Sequence, residues 1–419
     1  MGGVHWAAFD GGCGAVDCCR LDGKAGRPAA ARVDSPPMAP SPNAPRPAAE
    51  RRAADDPSGR ASDQAPASAP RTFREVGRWI ERHLRERGIE SPKACADYLL
   101  AHVVGCERMQ LYMRSEEVLA ETVSEADRAR LRELVLRAGR HEPVQYLVGR
   151  WPFRGREFEL GPSTLIPRES TNAVVDRAVA WYRASMHGQP LRMADIGSGT
   201  GIIAISVIAE LRASLGQRAC APLGGRAPRG GAAADALPEI QVDRAGRPEH
   251  AIEARPTASA VTHAAPGEVS LRCLATDVVP AAAELAKRNI ATHGLSASID
   301  VRVGSLFEPF RGSRPNSFDI IASNPPYISD PEWAKVERNV REYEPESALR
   351  GGHDGLDVIR PLVAEAPHWL RGGGLLLVEI GYEQGPAALE LARDERVWSQ
   401  AEILKDFEGH PRVLAAIRQ

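Results

Sequence analysis

Apolar residues from position 72 onward first recur three or four places apart, which is the period of an amphipathic helix. Three such runs lie at 72–88, 91–105 and 124–140, and the second opens on Ser91 followed by proline, a common helix start. We therefore predict a small helical domain over residues 71–145.

The pattern changes between residues 146 and 168, where aromatic and apolar residues flank Arg154-Gly155. Strand-like runs on either side of a short turn that contains glycine predict a β-hairpin. The run that follows, up to Ile166-Pro167, predicts a further strand that carries prolines. Residues 146–168 are therefore expected to link two domains.

Beyond residue 169 a helical run comes first, and from residue 190 short apolar runs alternate with helical ones. Alternating strands and helices form a mostly parallel sheet covered on both faces, which is an α/β fold. The last two strand-like runs are joined by Gly409-His410-Pro411 and predict an antiparallel hairpin. Residues 169–419 are therefore predicted to form one α/β domain.

Two segments lack any such pattern. Residues 1–70 are rich in Ala, Pro, Gly, Arg and Asp, and residues 213–268 are similarly low in complexity. Chains of this composition cannot bury enough apolar surface to offset the entropy of ordering, so we predict that both are disordered. The second interrupts the α/β alternation, and we expect a surface insertion whose removal preserves folding.

Charge and cysteine content narrow the classes of function. The 419-residue chain has a formal net charge of −2 and seven cysteines without zinc-like spacing, so neither a metal nor direct nucleic-acid contact is expected. No apolar run approaches the roughly 20 residues that span a bilayer, and no leader peptide is expected. We expect a cytoplasmic monomer that does not bind membranes.

The first candidate site is the segment "ADIGSGTGIIAIS". Asp195 ends a strand, and Gly197, Gly199 and Gly201 lead directly into a helix. Glycines let the backbone approach a ligand closely, and the helix N-terminus offers free N–H donors to an anionic group. The G-x-G-x-G spacing in a strand–turn–helix context favours a ligand site over a tight turn alone.

The second candidate is Asp277, which ends the next strand, where a carboxylate can accept hydrogen bonds from both hydroxyls of a ribose. Such an acid normally follows the glycine turn by about 20 residues. Here 277 − 195 gives 82, and removing the 56 residues of 213–268 leaves 82 − 56 = 26, which restores the expected order. The alternative is that Asp277 only caps the helix that follows.

The third candidate is Asn324-Pro325-Pro326-Tyr327, which follows the apolar run "FDIIAS". The Asn324 side-chain carbonyl and the Pro325 backbone carbonyl can accept both hydrogens of a planar –NH₂ group. Positive charge develops on that nitrogen as it attacks, which strengthens both hydrogen bonds. The alternative is a proline stop, which does not explain an asparagine before the prolines and an aromatic residue after them.

Together with "PVQYLVGRWPFRGREFEL…STLIPR", "YEPESAL" and "LLLVEIGYEQG", these motifs make the chain similar to the HemK/PrmC family of protein-(glutamine) methyltransferases. The similarity runs from about Thr72 to the C-terminus, apart from the insertion. It implies a Rossmann-like class I methyltransferase sheet and S-adenosylmethionine as the cofactor. It also implies that the substrate is the Gly-Gly-Gln glutamine of class-1 peptide chain release factors, which the helical domain would contact.

On the cofactor side, the resemblance places the three glycines beside the methionine portion and Asp277 beside the ribose, and Asp195 is also expected to bind the cofactor. Two positions depart from the family pattern. The acid usual at position 172 is Asn172, and the acid that often meets the adenine amino group is replaced by Ser305. We expect these departures to alter cofactor affinity.

On the substrate side, the resemblance places the acceptor amide between Asn324 and Pro325, with Asn324 also close to the cofactor. Pro326, Tyr327 and Arg168 would complete the pocket, with Tyr327 as a flat wall. Catalytic roles would fall on Asn324, Pro325 and Tyr327, and no general base is required because the proton is lost after transfer. The alternatives are a glutamine methyltransferase of a large-subunit ribosomal protein, an adenine amino-group methyltransferase of nucleic acid, and a non-catalytic binding protein.

Overall fold

The computed structural model describes residues 71–216 and 269–419. The segments expected to be disordered therefore lie outside the described residues, except for 213–216, which form the end of a helix and the turn after it. Within the described residues, no helix is long and apolar enough to cross a membrane.

The N-terminal part of the described chain is helical, as the apolar spacing predicts. In its first helix, Phe73, Ile80 and Leu84 are buried in a core shared with the following helices. That helix starts at a capping box, in which Thr72 and Glu75 each accept the backbone N–H of the other. The helices of this region are α1 (Phe73–Arg85), α2 (Pro92–Val104), α3 (Arg108–Met113), α4 (Leu119–Thr122), α5 (Glu125–Ala138) and α6 (Val144–Val148).

The predicted hairpin follows, with antiparallel strands β1 (Arg150–Phe153) and β2 (Arg156–Glu159). Its two-residue turn has positive φ at both positions, 49° at Arg154 and 69° at Gly155, which matches the twist of the flanking strands. The Arg154 guanidinium lies 2.6 Å from the Glu210 carboxylate and 2.7 Å from that of Asp176. These ion pairs tie the hairpin to the α/β region.

The prediction of a strand that ends at Ile166-Pro167 is wrong, because residues 160–168 form an irregular loop. Its backbone groups form hydrogen bonds with side chains rather than with a neighbouring strand. The Tyr146 hydroxyl donates to the Thr164 carbonyl at 2.6 Å, and the Ile166 N–H donates to the Glu344 carboxylate at 3.1 Å. The two prolines of the loop have no N–H to contribute to a strand ladder.

The described part of the α/β region is built on one sheet. Its strands are β3 (Leu191–Ile196), β4 (Leu271–Asp277), β5 (Ile299–Val303), β6 (Phe318–Ser323), β7 (Leu370–Glu379), β8 (Trp398–Lys405) and β9 (Pro411–Arg418). They lie in the order β5-β4-β3-β6-β7-β9-β8. Strands β3 to β7 are parallel, β9 is antiparallel to β7, and β8 is antiparallel to β9. The predicted mostly parallel sheet with an antiparallel C-terminal hairpin is confirmed.

Helices cover both faces of this sheet. They are α7 (Asn172–Ser185), α8 (Ile202–Ser214), α9 (Pro280–Thr292), α12 (Ile359–Trp369) and α13 (Gly385–Leu391). The short helices α10 (Asp330–Trp333) and α11 (Arg338–Tyr343), which have no buried residues, lie between β6 and α12. There are 3-10 turns at Glu169–Thr171, Glu308–Phe310 and Glu346–Ala348. Successive strand residues point to opposite faces. Met193 therefore joins the core formed with α7 and α8, whereas Ala194 joins the core formed with α12 and α13.

Candidate active site

The strand register brings the three candidate motifs to one edge of the sheet. Ile196 ends β3 and pairs with Thr276 of β4 on one side and Ser323 of β6 on the other. The residue after each of these three belongs to a candidate motif. Because the chain order reverses between β3 and β6, a crevice opens at this edge, where α/β sheets bind ligands.

A cavity of about 250 Å³ lies at this crevice. Two polar atoms of its lining residues, Ser198 Oγ and Asn324 Oδ1, are buried and have no hydrogen-bond partner among the described residues. A buried polar atom without a partner costs roughly 1–3 kcal/mol, so both mark a surface suited to a polar ligand. Of the predicted site residues, the cavity is lined by Arg168, Gly197, Gly199, Asp277, Ser305, Asn324, Pro325 and Pro326.

The glycine-rich turn contains glycines of two kinds. Gly199 has a φ of 54°, and a side chain there would meet no atom within 4 Å. Gly201 has a φ of 81°, and an added Cβ would lie 3.3 Å from Ile205 and 3.6 Å from Ala286. The third glycine of the motif therefore lets α8 pack against α9, and it does not line the cavity.

Asp195 lies beneath the turn rather than at the cavity lining. Its Oδ2 accepts the Ala204 N–H at 3.0 Å, which satisfies a donor in the first turn of α8, and its Oδ1 has no partner in the described part of the chain. Burial raises the pKa of Asp195 to about 7, and the nearby carboxylate of Asp277 adds to the effect. The side chain anchors the helix that follows the glycine turn.

Asp277 holds two backbone segments at the end of β4. Its Oδ2 accepts the Gly199 N–H at 2.8 Å, and its Oδ1 accepts the Val279 N–H at 2.9 Å. The N-cap of α9 is Val279, so the alternative that Asp277 only caps this helix is wrong. Burial raises the pKa of Asp277, although both N–H groups oppose the rise. Its carboxylate is thus oriented in the cavity lining before any ligand arrives.

Asn324 is held through its amide nitrogen. Nδ2 donates to Thr171 Oγ1 at 3.1 Å, while Oδ1 is the buried atom without a partner noted above. Pro325 and Pro326 follow directly and also line the cavity. This corner can therefore offer acceptors, rather than donors, to a ligand N–H.

Tyr327 is not among the residues that line the cavity. Its ring is partly buried against the core on the α12 face of the sheet, and its carbonyl accepts Gln384 Nε2 at 2.9 Å. Burial, and the nearby carboxylate of Glu379, raise the pKa of Tyr327. The aromatic residue after the prolines anchors the corner to the core, and it does not form the predicted flat wall.

A buried carboxylate that the sequence analysis did not single out fixes the loop beside the cavity. Glu344 accepts the Arg168 guanidinium at 2.6 Å and the Ile166 N–H at 3.1 Å. Glu344 lies in "YEPESAL", one of the segments on which the family resemblance rests, and that resemblance was the only sign of its importance. No local pattern in the sequence assigned it a role. The pair holds Arg168 in the cavity lining.

A second such carboxylate lies behind Asn324. Glu379, at the end of β7, has no solvent exposure. The hydroxyls of Ser170 and Thr171 donate to it at 2.7 Å and 2.8 Å. Burial raises the pKa of Glu379, and the two hydroxyls and the guanidinium of Arg412 oppose the rise. The group that holds Asn324 is therefore itself held by a buried acid.

The two departures from the family pattern lie in different places. Ser305 lines the cavity, and its N–H donates to Glu308 Oε2 at 3.3 Å. Asn172 does not line it; its Oδ1 accepts from Arg154 at 3.1 Å, and its Nδ2 donates to Glu169 at 2.7 Å. Of these two, only Ser305 is placed to touch a ligand in the cavity.

Three residues away from the cavity, Asp406, Glu408 and His410, bring potential metal-ligand atoms within 4.8 Å of one another. The Asp406 carboxylate already accepts the backbone N–H groups of Glu408 and His410 and the guanidinium of Arg412. The turn between β8 and β9 accounts for this cluster without a metal.

The fold and the site define the class of protein. A parallel sheet that ends in two antiparallel strands, with a glycine-rich turn after β3 and an acid at the end of β4, is the arrangement of a class I methyltransferase.

Comparison with known proteins narrows this class. A family model, the PrmC N-terminal domain, matches residues 75–149. A release factor glutamine methyltransferase of Geobacter sulfurreducens is 33% identical over 318 residues, which cover 76% of this chain and 87% of that protein. One from Rhodopirellula baltica is 29% identical and covers 83% of this chain and 96% of that protein. The solved structure of a ribosomal protein L11 methylase from Lactobacillus delbrueckii subsp. bulgaricus is 17% identical, with a TM-score of 0.33, covering 60% of this chain and 80% of that one.

The chain belongs to the release factor glutamine methyltransferase family. It is therefore an S-adenosylmethionine-dependent methyltransferase, and the family resemblance noted in its motifs is confirmed.

Proposed function

We propose that this enzyme transfers a methyl group from S-adenosylmethionine to the side-chain amide nitrogen of the Gly-Gly-Gln glutamine in class-1 peptide chain release factors. The names of its relatives support this substrate class. One observation supports the chemistry. Asn324 lines the cavity, and its Oδ1 is buried and has no hydrogen-bond partner among the described residues.

The site is suited to an amide nitrogen, which is a poor nucleophile because its lone pair is delocalised into the carbonyl group. Asn324 Oδ1 and the Pro325 carbonyl are two acceptors for its two hydrogens. As the nitrogen commits its lone pair to a new bond, its hydrogens become more positive and both hydrogen bonds strengthen. These residues therefore favour the transition state over the bound substrate, and the proton leaves afterwards.

The residues at the ends of β3 and β4 fit the cofactor. Gly197 and Gly199 would leave room for its methionine portion, and Asp277 would accept hydrogen bonds from its ribose hydroxyls. Each Asp277 oxygen accepts one backbone N–H and keeps a further lone pair for a hydroxyl. S-adenosylmethionine, when bound, supplies the methyl group on a positively charged sulfonium.

Arg168 would contact the peptide that carries the glutamine. Its guanidinium is fixed by the buried carboxylate of Glu344 at 2.6 Å, and it lines the cavity. A guanidinium has five N–H donors, so donors remain for the backbone carbonyls beside the glutamine. The ion pair with Glu344 keeps them in place, which limits the entropy lost when the peptide binds.

The test is methyl transfer from labelled S-adenosylmethionine to a purified release factor, with the product located by mass spectrometry. We expect one methyl group on the Gly-Gly-Gln glutamine and none when that glutamine is replaced by alanine. Asn324→Ala should lower kcat roughly 100-fold or more while the Kd for S-adenosylmethionine stays unchanged. Asn316→Gly is the control, because Asn316 lies in an exposed turn with a φ of 57° that glycine adopts freely.

Two outcomes would contradict the proposal. Methylation of a large-subunit ribosomal protein, or of adenine in a nucleic acid, with none on the release factor would replace it by one of the alternatives. Loss of cofactor binding in Asn324→Ala would show that Asn324 serves the cofactor rather than the acceptor amide.

A further inference from the structure

A chain of hydrogen bonds runs from a buried carboxylate to the Asn324 amide. Glu379 has no solvent exposure, and its Oε1 and Oε2 accept the hydroxyls of Ser170 and Thr171 at 2.7 Å and 2.8 Å. Thr171 Oγ1 in turn lies 3.1 Å from Asn324 Nδ2. Thr171 thus contributes a hydroxyl that touches both the buried acid and the amide at the cavity.

The number of available protons fixes the direction of this chain. Ser170 and Thr171 each donate their single hydroxyl proton to Glu379. Thr171 Oγ1 then has only lone pairs left, and it must accept its second hydrogen bond from the Asn324 amide nitrogen. The Asn324 amide cannot turn over without losing this bond, which leaves Oδ1 as the acceptor for a ligand.

We propose that Thr171 and Glu379 are positioning residues that fix the rotation of the Asn324 amide, so that its oxygen and not its nitrogen meets the acceptor amide. This rests on the function proposed above. A reversed Asn324 would present N–H donors to a substrate –NH₂ group, donor against donor, and would not hold the hydrogen that its oxygen accepts. Reversal of the Asn324 amide therefore lowers kcat far more than it lowers the stability of the fold.

Glu379→Gln probes the direction of the chain at constant volume. A glutamine has one acceptor end and one donor end, so at least one of the two hydroxyls must now accept from it. When that hydroxyl is Thr171, its proton becomes free to donate to Asn324 Oδ1. The Asn324 amide then reverses without any change in packing. When that hydroxyl is Ser170, the Asn324 amide keeps its orientation.

Four variants separate positioning from packing, with kcat and KM for the release factor, Kd for S-adenosylmethionine and the thermal midpoint measured for each. We expect Thr171→Val to lower kcat roughly 10- to 100-fold with the cofactor Kd unchanged, because the acceptor amide is misplaced. Thr171→Ser keeps the hydroxyl and should restore most of the rate. Thr171→Ala also removes the hydroxyl and should lower kcat as Thr171→Val does.

Ser170→Ala is the matched control. It also removes one hydroxyl donor from Glu379, but Ser170 does not touch Asn324. The proposal therefore expects a much smaller loss of kcat than in Thr171→Val, even where the two variants lose equal stability. Equal losses of kcat in these two variants, or no recovery in Thr171→Ser, would overturn the positioning role.

The remaining outcomes are also decisive. If Thr171→Val does not fold, Thr171→Ala is compared with Thr171→Ser. Equal values of kcat in these two variants overturn the proposal, and a lower kcat in Thr171→Ala with unchanged cofactor Kd supports it. A wild-type enzyme that fails to methylate the release factor overturns the proposed function, and this inference with it. Failure of the proposed function can be told apart from failure of this inference, because it appears in the wild-type enzyme before any variant is compared.

Discussion

Replacing Asp195 by asparagine tests whether one buried carboxylate governs the pH dependence of folding. The side chain has no solvent exposure; one oxygen accepts the Ala204 N–H, and the other has no partner in the described part of the chain. Burial therefore raises the pKa of Asp195 from 3.8 to about 7. In the unfolded chain, the same group titrates near its ordinary value.

The magnitude follows from the two pKa values. They differ by about 3.2, and each unit is worth about 1.36 kcal/mol. Because the folded pKa is the higher one, the native state keeps the proton while the unfolded chain loses it, so stability falls as pH rises from about 4 to 7. The total is about 4 kcal/mol, of which the interval from pH 5 to 7 contributes about 2.3 kcal/mol. Above about pH 8 the cost is constant.

The assay is urea unfolding of the wild type and Asp195→Asn at pH 5, 6, 7 and 8. We expect the free energy of unfolding of the variant, relative to the wild type, to rise by about 2–3 kcal/mol from pH 5 to 7 and then to level off. Asp406→Asn is the control. Although burial opposes them, the His410 N–H and the Arg412 guanidinium lower the pKa of Asp406, so its difference should stay flat over this range. A flat difference for Asp195→Asn would refute the reasoning.

Three further predictions test the site and the core. Asp277→Ala should weaken S-adenosylmethionine binding roughly tenfold by calorimetry, because a hydrogen-bonded carboxylate is lost; an unchanged Kd contradicts its ribose role. Gly201→Ala should cost about 1–2 kcal/mol of unfolding free energy in urea, because its φ is 81° and the new Cβ crowds Ile205, with cofactor affinity kept. Weaker binding without lost stability would place Gly201 at the ligand. Phe158→Ala should cost about 3–5 kcal/mol, since its ring is fully buried, and a loss below about 1 kcal/mol would show that the hairpin adds little to the core.

The sheet and the place of the crevice follow from local patterns. Strands β3, β4 and β6 are short apolar runs, and parallel strands bring their carboxyl ends to one edge. Gly197, Asp277 and Asn324 are therefore neighbours as soon as the strands are recognised. The loop at 160–168 escaped this reasoning, because its apolar composition resembles a strand while distant side chains pair its backbone.

The direction of single side chains within a motif does not follow from the motif. Asp195, Gly201 and Tyr327 all belong to motifs that meet at the crevice, yet none of them lines the cavity. Which side of a turn a residue faces depends on what packs behind it. For Gly201 that neighbour is Ala286 of α9, which the sequence places far away.

Glu379 shows how a buried charge could have been noticed. It ends the apolar run "LLLVE", where a burial cost of several kcal/mol requires that both carboxylate oxygens be paired. The partners, Thr171 and Ser170, lie 208 and 209 positions away along the chain, so no local pattern reveals them. Glu379 lies beside Asn324 because β7 pairs with β6, whose end carries Asn324. The contact that satisfies the carboxylate also commits the Thr171 proton, and through it the orientation of the Asn324 amide.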